Sequence, residues 1–311
     1  MKHAKAALFP VLLLSVFAIP LMAAVPDTGT TPVRVTVSVS GPQPRTPVTA
    51  RDLQVYQDSQ RRPVIDWTPV AESPQGMDLA ILIDDSLRSD VSLQFPDLRN
   101  FIQDLPASTQ VGVAYADYGA AVFKQPFTTD HRQAAAALQI PEGKIAAGGS
   151  IYQSVSDLIR VWPDDGRVHV ALVVSYGVDI WRGLVNTSPV LNPDLNTAIH
   201  QAQASGVTFY TIFAGSSVGF EHSPMLNLNG QSSLERLASE TGGKAYFQGT
   251  RTPVSFEPFL KQLRASLDRQ YVLTFEADAR TEAHDAPLRV TTELPRVRIT
   301  APSEVRIPAA R

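Results

Sequence analysis

Residues 79–83 read Leu-Ala-Ile-Leu-Ile, an apolar run with no polar alternation. A strand buried on both faces of a parallel sheet has this pattern, because helices cover it above and below. Helical spacing follows over 93–105 and stops at Pro106. Residues 110–116 and 121–127 predict two strands around the turn Asp117-Tyr118-Gly119-Ala120, and 131–138 a short helix. A helix opens at Ser150 and carries Ile151, Val155, Leu158, Ile159 and Trp162. Residues 168–175 and 207–214 are further apolar strands, with an amphipathic helix over 194–204 between them. A helix over 232–241 ends at Gly242-Gly243, 244–248 forms a short strand, and 256–267 the last helix. The reading leaves 216–230 as a loop. The alternation over 77–268 predicts one doubly wound α/β domain with a mostly parallel sheet.

The flanks follow another period. Residues 33–39 alternate Val-Arg-Val-Thr-Val-Ser-Val, the signature of a half-buried antiparallel strand. Residues 52–57 and 63–70 flank the polar stretch 58–62 and predict a hairpin. Beyond the last helix, 270–277, 287–293 and 296–299 alternate in the same way. Neither 25–76 nor 269–311 has enough strands for a stable sheet. The two segments are therefore expected to pair into one small antiparallel β module beside the α/β domain.

Composition narrows the functional classes. Lys2 and Lys5 precede an apolar stretch over 6–22, followed by Ala23 and Ala24, the pattern of a secretory signal peptide. Residues 1–24 are assigned to it, and a secreted, extracellular or periplasmic protein is expected. Pro10 and Pro20 make the same stretch a poor membrane anchor. The chain has 311 residues, a net charge of −3 and no cysteine. Disulfides, thiolate metal centres and cysteine nucleophiles are excluded, and the absence of a basic stripe argues against a nucleic-acid partner.

Candidate chemistry gathers where the first central strand ends, at Asp84, Asp85 and Ser86. Ligands of open α/β sheets bind at the carboxyl ends of the strands. With Asp-Asp-Ser-Leu-Arg after a buried strand, this stretch resembles the first motif of the von Willebrand factor type A domain, Asp-x-Ser-x-Ser. Gly148-Gly149-Ser150 is similar to the second motif, and Ser175-Tyr176-Gly177 stands where the third reads Thr/Ser-Asp-Gly. Two further stretches resemble a bacterial secreted subgroup of the same family, Pro47-Val-Thr-Ala-Arg-Asp-Leu before the domain and Tyr271-Val-Leu-Thr-Phe after it.

The resemblance implies a metal-ion-dependent adhesion site for magnesium or manganese. Asp84, Ser86 and Ser150 are its remnant ligand positions. Two departures count against an ion. Arg88 replaces the second serine of the first motif, and Tyr176 replaces the aspartate of the third. A hard divalent cation needs about six oxygens, several of them carboxylates. The expectation is a site without bound metal, with the Arg88 guanidinium set against Asp84 or Asp85. Asp85, Asp117 or Asp179 would complete a displaced site if magnesium or manganese were bound after all.

The loop over 176–193 is long and holds Tyr176, Asp179, Trp181 and Arg182, including residue types common in binding hot spots. With Asp85 and Arg88 these are the candidate ligand-binding residues. No Gly-x-Ser-x-Gly elbow or zincin motif is present, and the six histidines are scattered. Three functions remain in view. They are a secreted module that binds a protein ligand in adhesion, a structural component of the cell envelope, and a hydrolase whose site assembles in space. The first is expected. An exposed Trp181 favours it, whereas an inward-packed Trp181 favours the scaffold.

Overall fold

The computed structural model describes residues 29–42, 47–144, 149–163, 165–215 and 223–310. The signal segment and Gly148 lie outside the described residues. Strand β5 (Met77–Asp84) is buried along its whole length. Leu79, Ile81 and Ile83 face the cluster containing Phe95, Leu98 and Ile102 of α1 (Phe95–Gln103) and Leu260 and Leu263 of α6 (Glu257–Leu267). Ala80 and Leu82 face the opposite cluster, with Val155 and Leu158 of α3 (Ile151–Val161) and Leu195 and Ile199 of α4 (Pro193–Ser205). Burial on both faces is the reason the run lacks alternation.

Beside β5 lie β6 (Gln110–Asp117) and β8 (Val168–Ser175), followed outward by β7 (Ala120–Thr128) on one side and β9 (Thr208–Phe213) and β10 (Ala245–Tyr246) on the other. The order is β10-β9-β8-β5-β6-β7, parallel throughout except for the β6–β7 pair. The strand order reverses between β5 and β8, which is the topological switch point of a doubly wound sheet. The short α2 (His131–Ala136) follows β7.

The flanks make two four-stranded sheets that share one apolar layer. One has the order β13-β1-β11-β4 and the other β14-β12-β2-β3. The amino-terminal strands are β1 (Thr30–Ser40), β2 (Leu53–Gln57), β3 (Gln60–Arg62) and β4 (Val64–Pro69). The carboxyl-terminal ones are β11 (Gln270–Asp278), β12 (His284–Thr292), β13 (Arg298–Thr300) and β14 (Glu304–Ile307). Val33, Val35 and Val37 meet Val55, Leu288 and Val290 in the shared core. Each sheet draws strands from both ends of the chain.

Two details differ from expectation. The hairpin joins β2 to β3, not to residues 63–70. Asp58 and Ser59 both have positive φ, the twist of a two-residue turn, so the chain reverses at once and β4 crosses to pair with β11. Helix α5 (Pro224–Glu240) also starts eight residues before 232 and absorbs the end of the expected loop. Ser223 caps it by accepting from the Leu226 N–H, and Pro224 fits its first turn.

The sandwich meets the α/β domain at the end opposite the candidate site. Tyr210 Oη of β9 lies 3.2 Å from Ser38 Oγ, and Gln203 Nε2 near the end of α4 donates to Ser303 Oγ at 3.0 Å. Among the described residues, no helix is long and apolar enough to cross a membrane.

Candidate functional site at the carboxyl edge of the sheet

Asp84 closes β5 at the switch point. Its Oδ1 accepts from the Ser86 N–H at 3.0 Å and Ser86 Oγ at 2.7 Å, and its Oδ2 from Ser175 Oγ at 2.6 Å. Ser175 ends β8, and its hydroxyl in turn accepts from the Gly177 N–H. Burial pushes the Asp84 carboxyl above the usual carboxylate range, against the hydrogen bonds from Ser175 and Ser86.

A second acidic centre was underweighted in the sequence. Asp179 is 2 % exposed. Its Oδ2 accepts from Ser150 Oγ at 2.6 Å and Asn192 Nδ2 at 3.1 Å, and its Oδ1 from the Trp181 N–H at 3.0 Å. Ser150 and Asn192 are the N-caps of α3 and α4, so one carboxylate orients the start of both helices. Between the two acids, burial raises the Tyr152 phenol, with the charges of Asp179 and Asp84 adding to the effect. Its hydroxyl donates to the Gly177 carbonyl.

Tyr176 is not at this centre. Its ring is buried beside Phe213 on the other side of the sheet, its hydroxyl donates to Asn227 Oδ1 of α5, and burial pushes it up to about 12. The expected ligand-binding role is therefore corrected. The residue after Ser175 turns into the core, and the chain brings a carboxylate back only at Asp179, after Gly177 adopts positive φ. Gly177 and Gly230 lie close there: a Cβ on Gly230 would stand 2.2 Å from the Tyr176 carbonyl oxygen.

Arg88 is exposed ahead of a 3-10 turn over Ser89–Gln94. The cation set against Asp85 is Lys144, which sequence reasoning missed. Its Nζ lies 3.2 Å from Asp85 Oδ2, 2.8 Å from Asp117 Oδ2 and 3.2 Å from Glu142 Oε2. Asp85 Oδ1 accepts from the Glu142 N–H, and its carbonyl from the Lys144 N–H. The partnership of Asp117, foremost, holds the Lys144 ammonium well above its usual range. Asp117 ends β6 and Asp85 directly follows the neighbouring parallel strand β5, so their proximity was legible; the loop lysine had no pattern to mark it.

Asp84, Ser86, Asp117, Lys144 and Ser150 line one cleft of about 30 Å³. The magnesium or manganese site implied by the resemblance does not fit these side chains. All four carboxylate oxygens of Asp84 and Asp179 already accept from protein donors. Among the described residues, the buried lining side-chain oxygens without a protein partner are Asp117 Oδ1 and Ser154 Oγ, two where a hard cation takes about six. Lys144 adds a fixed positive charge at the same cleft.

The long loop runs outward from Asp179. Arg182 forms a two-pronged ion pair with the largely buried Asp194 in the first turn of α4, at 2.9 and 3.1 Å. Trp181 is 48 % exposed. Leu184, Val185, Val190 and Leu191 of the same loop are also exposed, as are Met225 and Leu228 on α5. Asn229 Nδ2 donates to Thr187 Oγ1 at 2.9 Å and fastens the loop to α5.

The sequence matches no protein-family profile and no curated protein sequence. Solved structures show a partial likeness at low identity. An aerotolerance-related membrane protein from Bacteroides fragilis is 15% identical with a TM-score of 0.44, covering 62% of this chain and 99% of its own. The vWF domain of the type V pili tip protein Mfa5 from Porphyromonas gingivalis is 11% identical at 0.42, covering 61% and 96%. The ArnB paralog VWA2 from Sulfolobus acidocaldarius is 9% identical at 0.40, covering 90% and 76%. The α/β domain is a doubly wound, mostly parallel sheet with a single antiparallel edge strand, the fold class expected from the sequence.

Proposed function

We propose that this protein is a secreted binding or adhesion module that takes a protein ligand at the carboxyl edge of the α/β sheet, without a bound metal and without catalysis. The observation that carries the reading is the set of exposed apolar side chains on one loop, Trp181, Leu184, Val185, Val190 and Leu191, with Met225 and Leu228 exposed on α5, the helix to which Asn229 fastens that loop. Exposed apolar groups next to one another mark interaction surfaces more often than isolated ones do. Its backbone is fixed from below by Asp179 and Arg182, so little ordering entropy is lost on binding. The signal-like segment supports secretion.

The envelope-scaffold reading calls for Trp181 to pack inward, and its exposure speaks against that. A hydrolase reading finds little support, because Ser86 and Ser150 each donate to a carboxylate and, among the described residues, no histidine lines the cleft. The test is a pull-down from the surface fraction of the producing cell, with wild type beside Trp181→Ala/Leu184→Ser. One partner captured by the wild type and lost from an equally stable variant is the expected result. Equal capture by both would refute the assignment of this surface.

A further inference from the structure

At the opposite edge of the sheet, near the sandwich, three side chains converge that the candidate site does not use. Asp78 and His169 are direct register partners on the parallel strands β5 and β8. Both follow the parity of Ala80 and Ala171, so they project from the face that α3 and α4 cover. Asp165, in the loop before β8, brings its Oδ1 to 3.7 Å from His169 Nε2. One ligand atom from each of Asp78, Asp165 and His169 lies within 4.8 Å of the others.

A second, independent observation points to a ligand here. Asp78 is 1 % exposed, and its Oδ2 is buried with no hydrogen-bond partner among the described residues. Leaving a buried carboxylate oxygen unmatched is costly, so such atoms are rare without a reason. Arg167 explains only the other oxygen. Its Nε donates to Asp78 Oδ1, while the rest of the guanidinium is spent on the carbonyls of Gln75, Met77 and Ser108. This fixes the carboxylate, as partners outside the coordination sphere do in metal centres. The His169 ring is likewise held, stacked on Trp162 with centroids 4.9 Å apart.

We infer that Asp78, Asp165 and His169 form a binding site for a divalent transition metal, of which zinc is the best match. An imidazole with two carboxylates selects such ions over magnesium and calcium, which prefer oxygen alone. Zinc takes nitrogen and oxygen ligands at about 2 Å, which places neighbouring ligand atoms roughly 3.4 Å apart. The two strand residues are already set by register, and Asp165, on a loop and partly exposed, closes the remaining distance. Bound there, the ion would cross-link β5, β8 and the loop after α3 beneath the sheet, so its role is structural.

The test is calorimetric titration of the intact protein with zinc chloride, together with thermal melts. Wild type is expected to bind one equivalent and to melt several degrees higher. His169→Gln and Asp165→Asn are each expected to weaken binding by about 100-fold, whereas Asp84→Asn, at the far edge, leaves it unchanged. The partial exposure of Asp165 keeps that variant foldable even if His169→Gln disturbs the Trp162 stack. No binding by the wild type at millimolar zinc overturns the inference. So does binding that survives Asp165→Asn, or binding that is lost with Asp84→Asn.

Discussion

Replacing Asp179 by alanine tests the organisation of the candidate site more sharply than any change to Asp84. The substitution strands three donors at once: the Ser150 hydroxyl, the Asn192 amide and the Trp181 N–H. A hydrogen bond to a charged acceptor contributes about 1.5–3 kcal/mol, and a buried donor left unmatched costs about 1–3 kcal/mol. The Ser150 hydroxyl can rotate, and the Trp181 N–H is only part-buried, so the three do not add in full. The expected loss is about 3–5 kcal/mol, in the range for removing one partner of a buried charged network. For a chain of this size that corresponds to a fall in Tm of roughly 10 °C. Ser150→Ala should cost only about 1 kcal/mol, the worth of one N-cap. In the double variant the two losses should fall short of their sum, because they share a hydrogen bond. Urea and thermal unfolding of the four proteins measure all of this. Asp179→Ala within about 1 kcal/mol of wild type, or strict additivity with Ser150→Ala, would refute the view of Asp179 as the hub of both helix starts.

Other predictions concern the surroundings of that hub. Gly230→Ala should destabilise by about 1–3 kcal/mol despite its gain in helix propensity, because its Cβ meets the Tyr176 carbonyl at 2.2 Å; a raised Tm would refute the close packing of α5 on the β8 loop. Melts with and without millimolar magnesium should coincide, whereas a magnesium-dependent rise abolished by Asp84→Ala would restore the metal site that the sequence resemblance implies. The stabilising share of Asp84 belongs to its protonated form, since its folded pKa is raised. It is fully present below the ordinary carboxylate range and lost as pH rises through the raised value, so the stability difference between wild type and Asp84→Asn should shift against wild type over that window. Trp181→Ala should weaken capture of the protein ligand at least ~30-fold with no change in Tm, the behaviour of an exposed hot spot.

Much of the architecture could be read from the chain because its periods are strong. The run over 79–83 marked the central strand, and the valine alternation over 33–39 marked β1 of the sandwich. Where side chains gave mixed signals the reading slipped. Asn227, Asn229 and Gly230 look like loop residues, yet Asn227 receives the Tyr176 hydroxyl and Gly230 lets a backbone pass, so tertiary contacts override weak helix propensity. The site was less legible than the fold. Position in a short motif assigned Tyr176 to the aspartate's place, but whether a residue leaving a strand end points up or down depends on the turn that follows, here at Gly177. Lys144 was invisible for a related reason. Its three carboxylate partners come from a strand end, a turn and its own loop, and only the folded chain assembles them.

The sandwich also governs how the molecule carries load. Residues 29 and 310 lie side by side, since a Cβ on Gly29 would stand 3.3 Å from that of Ala310, and the Gly29 carbonyl accepts from the Ala279 N–H. In mechanical terms the α/β domain is a loop hung from a closed clasp. Tension applied through these two points is borne by the β strands and bypasses the sheet whose far edge carries Trp181. A ligand pulling on that edge would load the domain instead through the two chain crossings to the clasp, β4 to β5 and α6 to β11, with the contacts at Gln203 and Tyr210 beside them.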